Sequence, residues 1–455
     1  MVPDASEQPA LHPFPPAESA ESDEAEPGVV VLQYGAHWCR AGFACDLNAP
    51  CALRSTMFRC SCTFQLGVPQ NFQESIVCID EAHSQALPWY MRSKRQQTVQ
   101  AGSVNNWDDF GRILDHIFRK ELRLVPENHP VLVVEPPLCT QADRHRLCVT
   151  LFDDLSVPAV AFASAASLTL QTFGLNTGVV LDCGSSCATA TAVHMSQPVP
   201  GAAQRLLLGE DDMMHHILCA VDARKGNVRS LTYDEQVRNS RSIACIRNFK
   251  DTFCFVSPSS EPPAATEAAS ITLPCDDSAT DVTDACWRCP ELLFRPSFES
   301  PTAQTAAEPL SIQDLELLLQ QLPETQLRHF CIAVGVEGAD SCTAKSSLMQ
   351  QIHQWLAVGS VRERRGADLQ AIFDAYMQQR RGVADMVHAC IQACEEHLRP
   401  QLYGNVVICG GNSMFPGFKQ RLLCEIQSLA PDSRVRVSEH PLPADLRHTI
   451  QPTIK

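Results

Sequence analysis

The sequence predicts an α/β fold built on two related strand–turn units. Three observations carry this expectation. Gly178-Val-Val-Leu-Asp-Cys-Gly-Ser-Ser-Cys187 runs from a β-branched stretch into Asp182, Gly184 and small residues, the pattern of a buried strand entering a tight turn. Val29-Val-Val-Leu-Gln-Tyr-Gly-Ala-His-Trp-Cys39 repeats it, with Leu32, Gln33 and Gly35 standing for Leu181, Asp182 and Gly184. Strand and helix patterns then alternate along the chain, the mark of sheets with helical crossovers. Glycine in such a turn permits positive φ, so successive N–H groups can face one anion. Two units at equivalent places imply a duplicated fold closing on one phosphate-bearing ligand from both sides.

Composition narrows the class. The chain has 455 residues, 45% of them hydrophobic, and a formal net charge of −16. That length suggests about two to four domains. The negative charge argues against general nucleic-acid or acidic-membrane binding. No apolar run is long enough to span a bilayer, and the N-terminus is acidic, so a soluble intracellular protein is expected. The 22 cysteines are scattered through apolar segments and read as buried reduced thiols. Cys286 and Cys289 have zinc-knuckle spacing but no second pair downstream, so no metal site is assigned there.

The first 28 residues, rich in Pro, Ala, Ser and acids without Lys or Arg, read as a disordered acidic tail. It serves as a solubilising leader, or as an acidic peptide for a basic partner. Residues 29–165 form a first half, with Arg40 placed just beyond the first turn to reach a phosphate. Within it, residues 53–100 form a small subdomain, with Cys60 to Gln100 mostly loop. Asn106 caps a helix carrying Ile113, Leu114 and Ile117 on one face. Val131 to Val134 is a strand, Gln141 to Asp154 a helix, and Ala163 to Phe173 an Ala-rich helix.

Residues 166–298 form a second half. Gly209 opens a helix, Asp234 to Phe249 is another, and Pro258 to Ala269 is a loop. Pro290 to Phe298 reads as a Pro-bounded connector. Residues 299–382 form an α-helical insertion with stripes at Leu315, Leu318, Leu319 and Leu322; at Leu348, Ile352, Trp355 and Leu356; and at Leu369, Ile372, Phe373 and Tyr376. Its segment from Val334 to Leu356 loosely resembles a SAP-type helix–turn–helix, a nucleic-acid module, although the basic cluster Arg362 to Arg365 is short. Residues 383–431 return to the second half through an amphipathic helix at Val383 to His397. They continue through a strand ending at Gly410-Gly411 and a helix at Phe418 to Leu429, an arrangement that makes an anion site. Residues 432–455 read as an irregular tail.

Collinear motifs resemble the actin and actin-related protein family. They are Arg40-Ala-Gly-Phe, Asp80-Glu-Ala, Asn106-Trp-Asp-Asp, Glu121-Leu-Arg, Glu135-Pro-Pro-Leu, Val157-Pro-Ala, Thr177-Gly-Val-Val-Leu-Asp-Cys-Gly, Arg288-Cys-Pro-Glu-Leu-Leu-Phe-Arg-Pro-Ser-Phe and Ile408-Cys-Gly-Gly-Asn-Ser-Met-Phe-Pro-Gly. The resemblance implies an actin-like two-domain fold, with duplicated RNase H-like halves around a nucleotide cleft holding ATP and Mg²⁺. It also implies a filament or a subunit of a larger complex.

Carried across, the family's phosphate contacts fall on Gly35, Ala36, His37 and Arg40 in the first unit and on Asp182, Gly184, Ser185 and Ser186 in the second. The adenosine contacts fall on Gly410, Gly411, Asn412, Met414 and Phe415, and the helix's basic residue on Arg241. Several positions depart from the family. Gln33, Ser185 and Ser242 replace acids, and Ala36 replaces Ser. His37 and Ser186 replace glycines, and Val149 replaces the glutamine that would orient the attacking water.

Carboxylates hold a hydrated Mg²⁺ through its waters, so these changes predict that Mg-ATP binding is weakened or lost. Val149 has no hydrogen-bonding group, and losing such a catalytic group costs about 10² to 10⁴ in rate. A degenerate, pseudo-ATPase site without catalytic residues or protein metal ligands is expected. ATP is either lost or kept as a structural ligand. Residues 437 to 455 show no family-like Trp-x-Gly-Gly segment, so the first half should expose apolar surface for a partner or the insertion to cover, unless the reading frame ends wrongly.

The expected role is a non-catalytic structural subunit of a protein assembly, cytoskeletal in the cytoplasm or chromatin-remodelling in the nucleus. Its partners would be subunits of that complex, including actin or other actin-related proteins, with no membrane and no direct nucleic-acid contact. The alternative is an actin-like ATPase that switches or polymerises with nucleotide.

Overall fold

Two mixed sheets of the same strand order organise the chain. The computed structural model describes residues 28–44, 51–54, 56–59, 75–76, 95–100, 102–225, 240–259, 263, 268–273, 279–296, 319, 327, 330–331, 336, 345–357 and 381–439. The acidic tail and most of the residue 299–382 segment lie outside these.

The first sheet contains β1 (Val30–Tyr34), β2 (Trp38–Phe43), β3 (Cys51–Arg54), β4 (Val131–Glu135) and β5 (Val160–Ser164), in the order β5-β4-β1-β2-β3. The pairs β1–β2 and β2–β3 are antiparallel, whereas β1–β4 and β4–β5 are parallel. The second contains β6 (Gly178–Cys183), β7 (Ala188–His194), β8 (Gln197–Pro198), β9 (Gln204–Leu206), β10 (Val406–Cys409) and β11 (Val437–Glu439). Its main path is β8-β7-β6-β10-β11, with β9 also paired to β7. Here too a central antiparallel hairpin, β6–β7, is extended by parallel strands, β10 and then β11.

Strand periodicity explains both cores. Val30, Leu32 and Tyr34 point to one face of β1. They pack with Phe110, Ile113 and Leu114 of helix α1 (Trp107–His116). Asn106 caps α1: its side-chain oxygen accepts from the Asp109 backbone N–H at 3.1 Å. Helix α2 (Gln141–Val149) starts with a reciprocal Thr140–Asp143 capping box and ends in a π-turn through Asp154. Arg144 on α2 grips Glu135 of β4 with two hydrogen bonds of 2.8 and 2.6 Å.

In β6 the alternation sends Val179, Leu181 and Cys183 into the large core, while Val180 packs on the opposite face. There it meets Ala166 and Leu170 of helix α3 (Ala165–Thr172). The large core takes in helix α4 (Glu210–Lys225), helix α5 (Ser240–Phe253) and helix α6 (Ala285–Phe294). Many cysteines are buried free thiols, among them Cys39, Cys183, Cys289 and Cys390.

Three expectations need correction. Pro290 sits inside α6, not in a connector. Proline lacks the N–H that would bond the carbonyl four residues back. That carbonyl, on Cys286, instead accepts from the Phe255 N–H at 3.0 Å, so the defect is repaired from outside the helix. The region around residues 60–100 is not mostly loop where it is described: Thr56–Arg59, Ser75–Ile76 and Arg95–Gln97 make a small antiparallel sheet. Residues 432–455 are not wholly irregular, because β11 adds a parallel strand beside β10; residues 440–455 lie outside the described set.

The chain leaves and rejoins the second core at one place. A side chain at Gly382 would overlap the backbone of Phe294, the last residue of α6. Between them, helix α7 (Lys345–Ala357) buries Leu348 and Ile352, and Trp355 meets Phe330 edge-on with ring centroids 6.2 Å apart. Of the other predicted stripes, only Leu319 is described, and it is buried.

Helix α8 (Val383–Gln392) follows, then α9 (Arg399–Gly404) and α10 (Phe418–Leu429). Arg421 of α10 enters the core and bonds Glu291 of α6 at 2.9 Å and the Ser257 carbonyl at 2.8 Å. No described helix is long and apolar enough to cross a membrane.

Candidate functional site: two facing turns

The two strand–turn units close in the same way. The Gly35 N–H donates to the Trp38 carbonyl at 2.9 Å, and the Gly184 N–H donates to the Cys187 carbonyl at 2.9 Å. In the first turn, Gln33 pairs with Arg40 across the β1–β2 ladder, and Ala36 and His37 are buried. In the second, Asp182 lies at the end of β6 beside Cys409 of β10. Asp182 is partly open to solvent, with Ser185 and Ser186 just beyond it. Burial of its carboxyl raises the pKa of Asp182, and the charge of Arg40 only partly opposes this.

Helix α4 brings the turns together. Gly209 lies so close to the Ser185 carbonyl that a Cβ there would overlap it, and the Asp211 N–H donates to the same carbonyl at 3.3 Å. From the other turn, His37 places Nδ1 3.1 Å from Glu210 Oε2 and Nε2 3.2 Å from Asp211 Oδ1. Glu210 is also held by Arg247 at 3.0 Å and Lys250 at 3.5 Å, both from α5. Burial opposes ionisation of Glu210, but Lys250, His37 and Arg247 outweigh it and hold its pKa well below the usual carboxylate range.

The Gly410–Phe415 loop completes the constellation. Gly410 has φ +87°, and a Cβ there would run into Asp182 Oδ1 and the Cys183 carbonyl. This is a position only glycine fills without strain. Buried Asn412 donates to the Gly184 carbonyl at 2.7 Å and accepts from Lys250 Nζ at 3.3 Å. The Lys250 ammonium lies 5.5 Å from the centroid of the Phe415 ring. Gly411 and Met414 are exposed.

The sequence therefore located both turns and the Gly410–Phe415 loop. It missed Glu210, Asp211, Arg247 and Lys250. On α5, Lys250 reaches the loop, nine positions and about 13 Å beyond Arg241, whose side chain lies outside the described residues. The acid beside it is Asp251, 2.9 Å from Lys250 Nζ and half-exposed. The signal was available in Phe249-Lys-Asp, where a charged pair follows a buried aromatic at the end of an amphipathic helix.

The donor set divides in two. At the loop, a cation, an aromatic ring, a half-exposed acid and tightly packed glycine backbone suit an adenosine-like group. At the turns, Gln33 and Ser185 offer no carboxylate, and Asp182 is the one carboxylate left at those family positions, its pKa raised by burial against the lowering charge of Arg40. Glu210 and Asp211 are engaged by His37, Arg247 and Lys250. No group of three metal-binding side chains occurs among the described residues. The residues at the turns do not fit a Mg²⁺-bearing triphosphate. Val149, at the end of α2, supplies no group to orient water.

One further contact joins the two sheets: Arg205 of β9 donates to the Pro137 carbonyl at 2.9 Å. The actin family model matches residues 24–448, nearly the whole chain. With mixed α/β sheets and, among the described residues, about ten helices, this chain belongs to the actin family.

Proposed function

We propose that this protein is a divergent, non-catalytic actin-related protein and a structural subunit of a multiprotein assembly. In this reading its two sheets are the cores of duplicated RNase H-like halves, residues 299–382 are a helical insertion, and the paired turns face a former nucleotide cleft. The carrying observation is at the turns. Where the resemblance calls for acids around a metal-bound triphosphate, the chain has Gln33 and Ser185, and only Asp182 remains. A subunit role follows because a fold without its chemistry still offers large rigid surfaces. The assembly is cytoskeletal in the cytoplasm or a remodelling complex in the nucleus, with protein partners that include actin or other actin-related chains. Affinity purification of the tagged full chain from cells, followed by sizing and mass spectrometry, tests this. Stoichiometric co-elution with one defined complex is expected; a chain running alone would contradict it.

A second reading keeps ATP as a ligand that switches or polymerises the protein. The Lys250–Asn412–Phe415 arrangement with Asp251 beside it favours retained binding of the adenosine part. An ATP-dependent pellet on ultracentrifugation would establish that reading, and its absence would remove it.

A further inference from the structure

The two turns are already joined by protein side chains. His37 is 2% exposed, and its two ring nitrogens each lie against a different carboxylate. A neutral imidazole carries one N–H and can donate to only one of them. Both contacts are hydrogen bonds to ionised acids only when the ring is the imidazolium. The charged groups around it are Glu210 and Asp211 from α4 and, behind Glu210, Arg247 and Lys250 from α5, with Asp251 against Lys250. Its own hairpin adds Arg40, whose charge acts on Asp182. The β1–β2 turn and the second turn, which α4 carries through Ser185, are thereby tied across 173 residues of sequence.

We propose that the His37 imidazolium is a built-in clasp that closes the two turns in place of a nucleotide's phosphates, and that it opens as pH rises. This rests on reading the turns as a former nucleotide cradle. A cation between Glu210 and Asp211 satisfies those acids, whereas a polyphosphate entering there would place like charge against them. The pH direction follows from the ring's surroundings. Burial works against the charged ring, but the charge of Asp211 and the hydrogen bonds to Asp211 and Glu210 overcome it and raise the pKa of His37 above its ordinary value. A raised folded pKa gives stability that is complete below the unfolded value of about 6.5 and is lost as pH climbs through the folded value. On the acid side, Glu210 keeps its charge to well below the usual carboxylate range, so the His37–Glu210 contact persists there.

Thermal unfolding of the full chain between about pH 6 and pH 9.5 tests this. The wild type should lose about 1–2 °C more than His37→Gln or Asp211→Asn over that range. Parallel profiles for wild type and His37→Gln would overturn the clasp. In a second arm, Mg-ATP should leave the wild-type midpoint unchanged at low pH, where the clasp is closed. A wild-type midpoint raised by Mg-ATP at low pH would overturn the replacement of phosphates. Phosphate release is a separate measurement, so failure of the clasp and failure of the non-catalytic reading are distinguishable.

Discussion

Single residues decide what the paired turns can do. At Gly410 a positive φ and two close oxygens, one from Asp182 and one from Cys183, leave no room for a side chain. Gly410→Ala should therefore destabilise the protein by about 1–3 kcal/mol, read as a lower denaturation midpoint. Lys250→Ala should cost more than an ordinary surface lysine, since it leaves Glu210 short of one partner and Asn412 short of its donor. A fall of about 1–3 kcal/mol is expected, checked by the same denaturation. Sequence made the turn glycines and Asp182 legible, because a glycine after a β-branched strand has few other uses. It could not show that His37 meets Glu210 and Asp211, since nothing local links residues 173 and 174 positions apart. The same limit hid the contact of Lys250 with Asn412, which lies 162 positions away.

At the scale of elements, the α6–α10 contact shows why the Glu-Leu-Leu-Phe motif matters. Glu291 is fully buried and Arg421 nearly so, and they bond at 2.9 Å while the guanidinium also lies 5.1 Å from the centroid of the Phe294 ring. Removing one partner strands the other in a low-dielectric core. Arg421→Met should cost about 3–5 kcal/mol in chemical denaturation, and Arg421→Met with Glu291→Gln should recover part of it. The first strand of each hairpin and helices α1, α2, α4 and α10 were readable from the sequence pattern. Helix α6 was not, because proline is ordinarily a helix breaker and the donor that rescues Cys286 comes from Phe255, distant in sequence. Strand β11 was missed for a related reason. Three residues carry too little pattern, and its pairing with β10 is what makes it a strand.

At the scale of the molecule, one strand order appears twice, each time around a glycine-closed hairpin, and the turns of the two hairpins meet through α4. Collinear motifs made the family legible before any geometry, because no partner contact has to be known to match them in order. What they could not convey is how the site is paired: Gln33 and Ser185 at the turns, Glu210 and Asp211 on α4, and His37 set between those two acids. The most direct measurement is steady-state phosphate release by the purified full chain in Mg-ATP, alongside Asp182→Ala. The account predicts release at the buffer background for both proteins. Sustained turnover by the wild type that Asp182→Ala abolishes would contradict it.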